Sequence, residues 1–317
     1  MTLVTIILTT LNSERYLARS IESCLAQTHA DIEMIIVDGG STDSTLDIAA
    51  RYLDPRIRVL HQPSNDGKLP GALNLGMQTA TGEFITWTQD DSWYVPDAIE
   101  QMLRYLQHHP ETALVYCDYW DVDETGQPIK YQRVHPPSDI LVDDVVRQCF
   151  LFRRLVYETI GPQDTRYFPV HEIPWRLRVH QRFGIAPLHR PLMFYSVHSQ
   201  SLTGQIGGFN LQRMMSEALL AEGAIDSHQH RIRLARIDLD AAWDAFVLRG
   251  DYVAFRRFAA SALWRRPSLC NAGVAKLLLS SLTPWRAVLR ERLLKQWQDR
   301  EDALDQDLRA ESQDLSR

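Results

Sequence analysis

Three apolar runs in the N-terminal third of the chain, Leu3 to Leu8, Glu33 to Val37 and Phe84 to Thr88, are rich in β-branched residues and stop abruptly in short polar clusters. Such continuous runs read as strands covered on both faces, the mark of a parallel sheet. Between them the periodicity changes. Leu17, Ile21 and Leu25 recur at one-turn spacing behind a candidate cap at Asn12 or Ser13, and Leu46, Ala49 and Ala50 follow Ser41 and Thr42 in the same way. A short strand is expected over Arg58 to Leu60, and Ala72, Leu75 and Ala80 suit another helix. Strand–helix–strand alternation with short loops predicts a doubly wound α/β sheet. In such sheets ligands bind beyond the carboxyl ends of the strands, where these polar clusters stand.

The run beginning at Phe84 ends in two adjacent carboxylates, Asp90 and Asp91. Two acids at a sheet edge can hold a divalent cation that neutralises a diphosphate. They can equally turn the chain and cap a helix starting near Pro96. Further on, Ile99, Met102, Leu103 and Leu106 mark an amphipathic helix, and Leu114 to Cys117 a strand. The acidic cluster Asp118, Asp121, Asp123 and Glu124 lacks the spacing of a full calcium ligand set and reads as a solvated hairpin turning at Gly126. Asp143 to Arg153 is expected to be helical, Leu192 to His198 a last strand, and Thr203 to Gly208 a linker. After Phe209 only helical periodicity remains. The expected organisation is an α/β domain over residues 1–205 and an all-helical C-terminal region over 206–317.

Charge and cysteine usage narrow the partners. A net charge of -6 offers no broad basic field for nucleic acid. Cys24, Cys117, Cys149 and Cys270 show no paired spacing, so neither a disulfide framework nor a zinc knuckle is expected and a reducing cytoplasm fits. The first strand begins at once, leaving no room for a signal peptide, and no apolar run is long enough to cross a bilayer. Arg286, Arg290, Arg292 and Lys295 beside Trp285, Leu289 and Trp297 suggest peripheral contact with the inner face of a membrane. Glu291 and the acidic run that follows favour instead a helix packed on its own domain.

Four stretches together carry a family resemblance: Thr9-Thr10-Leu11-Asn12, Val37 to Asp43, Asp66-Gly67-Lys68 with Ala72 to Gly76, and Asp90-Asp91-Ser92-Trp93. Their order resembles that of family-2 glycosyltransferases. The likeness is specific over residues 2–120, weaker to about residue 205 and absent from the helical tail. It implies a GT-A fold, a Rossmann-like and mostly parallel sheet flanked by helices. It also implies an inverting transfer of a sugar from a nucleotide-sugar donor, a UDP- or dTDP-sugar being favoured, to a glycan or lipid-linked acceptor, with a divalent metal, Mn or Mg, on the diphosphate.

Carried over by position, the resemblance sets Thr9 and Leu11 beside the nucleobase and ribose. Asp38 would accept a hydrogen bond from the base, and Asp66 and Lys68 would line the nucleotide-sugar. The plainer readings are a helix-capping aspartate and a solvated loop. Thr88-Gln89-Asp90 occupies the place of the family's DxD motif; with Thr88 at its first position, the metal falls to Asp90 and Asp91. His198 resembles the family's late histidine near diphosphate and metal, with Ser196 where an arginine is common. His171-Glu172 stands where the family carries an acidic pair, which implies Glu172 as catalytic base, with His171 next in line. Its alternative is a buried structural glutamate paired with Arg178. Trp175 would stack on an acceptor sugar or belong to the core.

Two other functions compete. Thr88, His171 and Ser196 suit a nucleotide-sugar-binding protein of the same fold that has lost turnover. A sugar-nucleotide pyrophosphorylase would want a glycine-rich phosphate loop near the N-terminus, which Thr9-Thr10-Leu11-Asn12 is not.

Overall fold

The structure is a computed structural model that describes residues 2–63, 68–140, 145–198, 201, 205–266, 281 and 287–296. The chain divides into two compact units, Met1–Gln205 and Ile206–Arg317.

The first unit opens with β1 (Val4–Thr10), α1 (Leu17–Leu25), β2 (Ile32–Asp38), α2 (Thr45–Ala49), β3 (Ile57–His61), α3 (Lys68–Thr79) and β4 (Phe84–Gln89). All seven residues of β1 are buried, as an unbroken apolar run requires. β5 (Trp93–Tyr94), α4 (Ala98–His108), β6 (Thr112–Val122), β7 (Pro128–Gln132), β8 (Phe150–Arg153), α5 (Arg154–Ile160), α6 (Glu172–Arg182) and β9 (Gly184–Ser196) follow. They form one sheet in the order β3-β2-β1-β4-β8-β6-β9-β5, with β7 on β6. The pairings β3-β2-β1-β4 are parallel, as expected. Beyond β4 the sheet is mixed: β8 is antiparallel to β4 and β6, β6 and β9 are parallel, and β5 and β7 run antiparallel to their neighbours.

Helices cover the sheet by burying one stripe each. Leu17, Ile21 and Cys24 of α1 join Ile99, Met102 and Leu106 of α4 over Val4, Ile6 and Leu8 of β1, all fully buried. Gly76 of α3 sits so close to β1 that an added Cβ would lie 2.5 Å from Ile7 Cγ2, so only glycine admits this approach. Gly126, at φ 88°, makes the β6–β7 turn, and the acidic cluster forms a hairpin.

The helix expected over Asp143 to Arg153 is not formed. Phe150–Arg153 is β8, inserted between β4 and β6, where Phe150 and Phe152 meet Trp87 edge to face at 4.4 and 5.7 Å. Phe-Leu-Phe is too short to carry a helical period, and burial on both faces of the sheet favours the aromatic strand. Asp143 lies outside the described residues.

In the second unit the helices Gly208–Ala221, Ser227–Trp243 and Tyr252–Arg265 surround Asp238, which is 1% exposed and accepts from Ser261, Arg265 and Arg213. Residues 287–296 are helical, and Leu289, Leu293 and Leu294 pack against the cluster holding Phe246 and Phe255. The apolar side of that basic segment is thus used within its own unit; Trp285, Arg286 and Trp297 lie outside the described residues. No helix among the described residues is long and apolar enough to cross a membrane.

Candidate functional site

The carboxyl ends of β1 to β4 surround a cleft of about 560 Å³. Its walls come from the loop after β1, from Gly39 and Gln62 beyond β2 and β3, from the start of α3, and from Gln89, Asp90 and Asp91 beyond β4. Phe168, His198, Ser201 and Gln205 close it from later in the chain.

The loop after β1 is tied down on two sides. Asn12, at φ 53°, donates its amide to Ser41 Oγ at 2.9 Å and accepts from the Thr42 amide at 2.8 Å, while the Ser13 amide donates to Thr45 Oγ1 at 2.7 Å. Asparagine tolerates the left-handed conformation that this turn imposes. On the other side the Leu11 amide donates to Asp90 Oδ2 at 3.2 Å. Ser20 of α1 fixes the turn after β4 by donating to the carbonyls of Asp90 and Ser92 at 2.8 and 2.6 Å. The two ends of the central strands are therefore locked in register before any ligand arrives.

Asp90 and Asp91 stand side by side on the cleft wall. Burial, followed by the like charge of Asp91, pushes the Asp90 carboxyl up to about 6. Asp91 accepts from Ser92 Oγ at 3.0 Å and faces His198 Nε2 at 3.1 Å. The imidazole of His198 stacks on Tyr16 with ring centroids 5.0 Å apart, and its Nδ1 is buried without a hydrogen-bond partner among the described residues. Thr88 is 3% exposed and sits opposite Leu8 in the β1–β4 ladder, within the sheet rather than on the cleft wall.

Of the remaining expected residues, Thr9, Leu11 and Lys68 line the cleft, with the Lys68 ammonium 4.7 Å from the centre of the Phe168 ring. Asp38 is 2% exposed and beneath the wall: its carboxylate accepts the amides of Gly40 at 3.0 Å and Ser41 at 3.1 Å, while Gly39 and Gln62 form the surface above it. Asp66 lies outside the described residues.

Glu172 opens α6, away from the cleft lining. Its Oε1 accepts the indole N–H of Trp87 at 3.0 Å, and its Oε2 meets Arg176 at 2.6 Å. Arg176, one turn along and 2% exposed, pairs with it, since residues four apart share a helix face. Trp175 is fully buried, donates to the Gly161 carbonyl at 3.0 Å and packs on Trp87 and Phe152, which makes it core. His171 is buried too; desolvation drives its imidazole down to about 3, so it stays neutral.

Tyr16, Gln62, Phe168 and Gln205 belong to the cleft and were not singled out in the sequence.

The family model described as Glycosyl transferase family 2 matches residues 5–164, half of the chain. A PGL/p-HBAD biosynthesis glycosyltransferase of Mycobacterium bovis (strain BCG / Pasteur 1173P2) is 33% identical over 167 residues, covering 51% of this chain and 63% of the relative. The chain spans less than two thirds of the length of the curated relatives it matches. Among solved structures, S. aureus TarS 1-349 in complex with UDP-GlcNAc aligns with a TM-score of 0.58 at 15% identity, over 97% of this chain and 92% of that one. The mannosyltransferase PcManGT from Pyrobaculum calidifontis, in complex with GDP-Man and Mn2+, aligns with a TM-score of 0.59 at 16% identity, over 91% and 83%. At these identities the likeness is one of fold.

Proposed function

Because the chain belongs to glycosyl transferase family 2, we propose that it moves a sugar from a nucleoside diphosphate donor held in the β1–β4 cleft to a glycan or lipid-linked acceptor, with inversion at the anomeric carbon. The observation that carries this reading is the pair Asp90 and Asp91 at the end of β4, in a cleft that also presents Lys68 and His198. Base and ribose lie against Thr9, Leu11 and Gly39, with Asp38 beneath, and the diphosphate points toward Asp90 and Lys68. UDP- and dTDP-sugars are the favoured donors, since a uracil or thymine imide suits a carboxylate-backed wall. Solved neighbours carry UDP-GlcNAc and GDP-Man, which supports a nucleotide-sugar and leaves the base to experiment.

The residues fit a divalent cation, Mn or Mg. No group of three or more His, Cys, Asp and Glu side chains among the described residues is arranged to hold a metal unaided. A hard cation of this kind is ordinarily bound by one or two carboxylates together with substrate phosphates. The raised Asp90 carboxyl marks a place where negative charge is costly without a counter-charge. Asp90 and Asp91 would hold the ion, with His198 beside them, and it would supply charge stabilisation to the departing diphosphate.

Glu172 is the proposed base. Trp87 and Arg176 fix the position of its carboxylate, a group able to take the proton of an acceptor hydroxyl. The same engagement, with Glu172 away from the cleft lining, favours the second reading, a binding protein without turnover. Thermal shift with UDP-, dTDP- and GDP-sugars, with and without Mn2+, tests the first claim. A rise in melting temperature that needs both nucleotide and metal supports it. Hydrolysis of the stabilising donor separates enzyme from binding protein. No shift with any nucleotide would overturn both.

A further inference from the structure

Four aromatic side chains stand in one row across four strands. Trp93 of β5 lies opposite Phe194 of β9, Phe194 opposite Trp120 of β6, and Trp120 opposite Tyr131 of β7. Residues directly opposite in a ladder share one face of the sheet. The Trp93 and Phe194 rings stack with centroids 5.4 Å apart, and Trp120 meets Tyr131 edge to face at 5.1 Å. All four are half-buried.

Both ends of the row are braced. The Arg19 guanidinium lies 4.4 Å from the centre of the Trp93 ring. The Tyr131 hydroxyl donates at 2.6 Å to Asp118, which is fully buried and also accepts the Val134 amide at 2.8 Å. The row neighbours the cleft wall along the chain: Trp93 is two residues beyond Asp91, Phe194 is four before His198, and Asp91 and His198 meet on that wall.

Cross-strand aromatic pairs stabilise a hairpin wherever they occur. What this row adds is its place in the strands that carry Asp91 and His198 to the cleft wall. Three strand spacings make it roughly 14 Å long, enough for more than one sugar ring. We propose that the row is the acceptor subsite, and that the apolar faces of pyranose rings in a glycan lie on Phe194 and Trp120, with the hydroxyl to be glycosylated directed toward the cleft. The C–H groups of a pyranose face carry slight positive charge and meet the negative face of an aromatic ring. Braced aromatic rings lose little conformational freedom on binding, so contact area converts efficiently to affinity. This subsite rests on the glycosyltransferase reading, because only that reaction needs an acceptor beside the donor diphosphate.

The test titrates cellotetraose, chitotetraose and maltotetraose into the full chain and follows tryptophan fluorescence. At least one should bind saturably. Trp120→Leu, which keeps apolar bulk, should weaken it at least tenfold, and Trp120→Phe, which keeps a ring, should retain most of the affinity. Phe194→Leu should behave as Trp120→Leu does. The thermal shift with UDP and Mn2+, measured on the same samples, should not change in any variant. Absence of glycan binding in a wild type that still responds to UDP and Mn2+ overturns the subsite alone. Glycan affinity equal in wild type and both leucine variants also overturns it. Loss of the UDP response in wild type, with glycan binding retained, strikes instead at the donor reading.

Discussion

His198 Nε2 lies 3.1 Å from Asp91 Oδ2, joining two residues 107 positions apart at the wall of the cleft. Asp91 follows β4 and His198 follows β9, so the contact ties the parallel half of the sheet to its mixed half where the diphosphate is proposed to sit. His198→Ala should weaken binding of a nucleoside diphosphate with Mn2+ by roughly tenfold or more, since one charge-assisted contact contributes about 1.5–3 kcal/mol. Calorimetry of UDP with the metal reads this. A nucleoside without phosphates should bind both proteins equally; if it loses as much, His198 acts through the shape of the cleft.

Asp38 carries two roles that one variant separates. Its carboxylate holds the Gly40 and Ser41 amides, and it lies under the wall proposed for the base. Asp38→Ala leaves two backbone donors without their acceptor and should cost about 1–3 kcal/mol of stability. It should also raise the donor KM more than it lowers kcat, because the turn it holds follows Gly39 on the wall proposed for the base, and a base contact is the same in ground and transition states. Unfolding curves and saturation kinetics on one preparation check both. A collapse of kcat with KM unchanged would place Asp38 in the chemistry.

Glu172→Gln should reduce saturated transfer by roughly two to four orders of magnitude, the usual worth of a positioned base. It also removes the charge facing Arg176, which is 2% exposed, so the melting temperature should fall. Rates are therefore compared well below both melting transitions. Donor affinity should hold. Full turnover per folded molecule would leave Glu172 as scaffold and move the base elsewhere.

His171 predicts a pH dependence of stability. The folded imidazole titrates at about 3 against an ordinary value of 6.5, so the unfolded chain takes up a proton that the folded chain refuses. The stability associated with the neutral ring is complete above pH 6.5 and is lost as pH falls toward 3. Between pH 6.5 and 5 the loss amounts to about 2 kcal/mol. Denaturant unfolding of wild type and His171→Phe across that window should show a shallower slope in the variant. Parallel slopes would mean that the ring charges freely in the folded protein.

The parallel core and the acids beyond it were legible because each is local: an apolar run, then Asp90 and Asp91 at its end. β8 was missed since Phe150-Leu151-Phe152 has no periodicity of its own, and its strand form depends on β4 and β6, distant in sequence. The pairing of Glu172 with Arg176 depends on where α6 starts, because the helix register sets which residues share a face. The aromatic row exists only through the registers of β5, β9, β6 and β7, which no local pattern specifies. Tyr16 and Gln62 reach the cleft by the same long-range assembly.

The central claim is that Asp90 binds a nucleoside diphosphate through a divalent cation. Titration calorimetry of UDP into wild type and Asp90→Ala, each with Mn2+ and with EDTA, tests it most directly. The account predicts tight binding only in wild type with Mn2+, and at least tenfold weaker binding in Asp90→Ala measured well below the melting transition of both ligand-free proteins. Equal affinity of the two proteins for UDP with Mn2+ would contradict it.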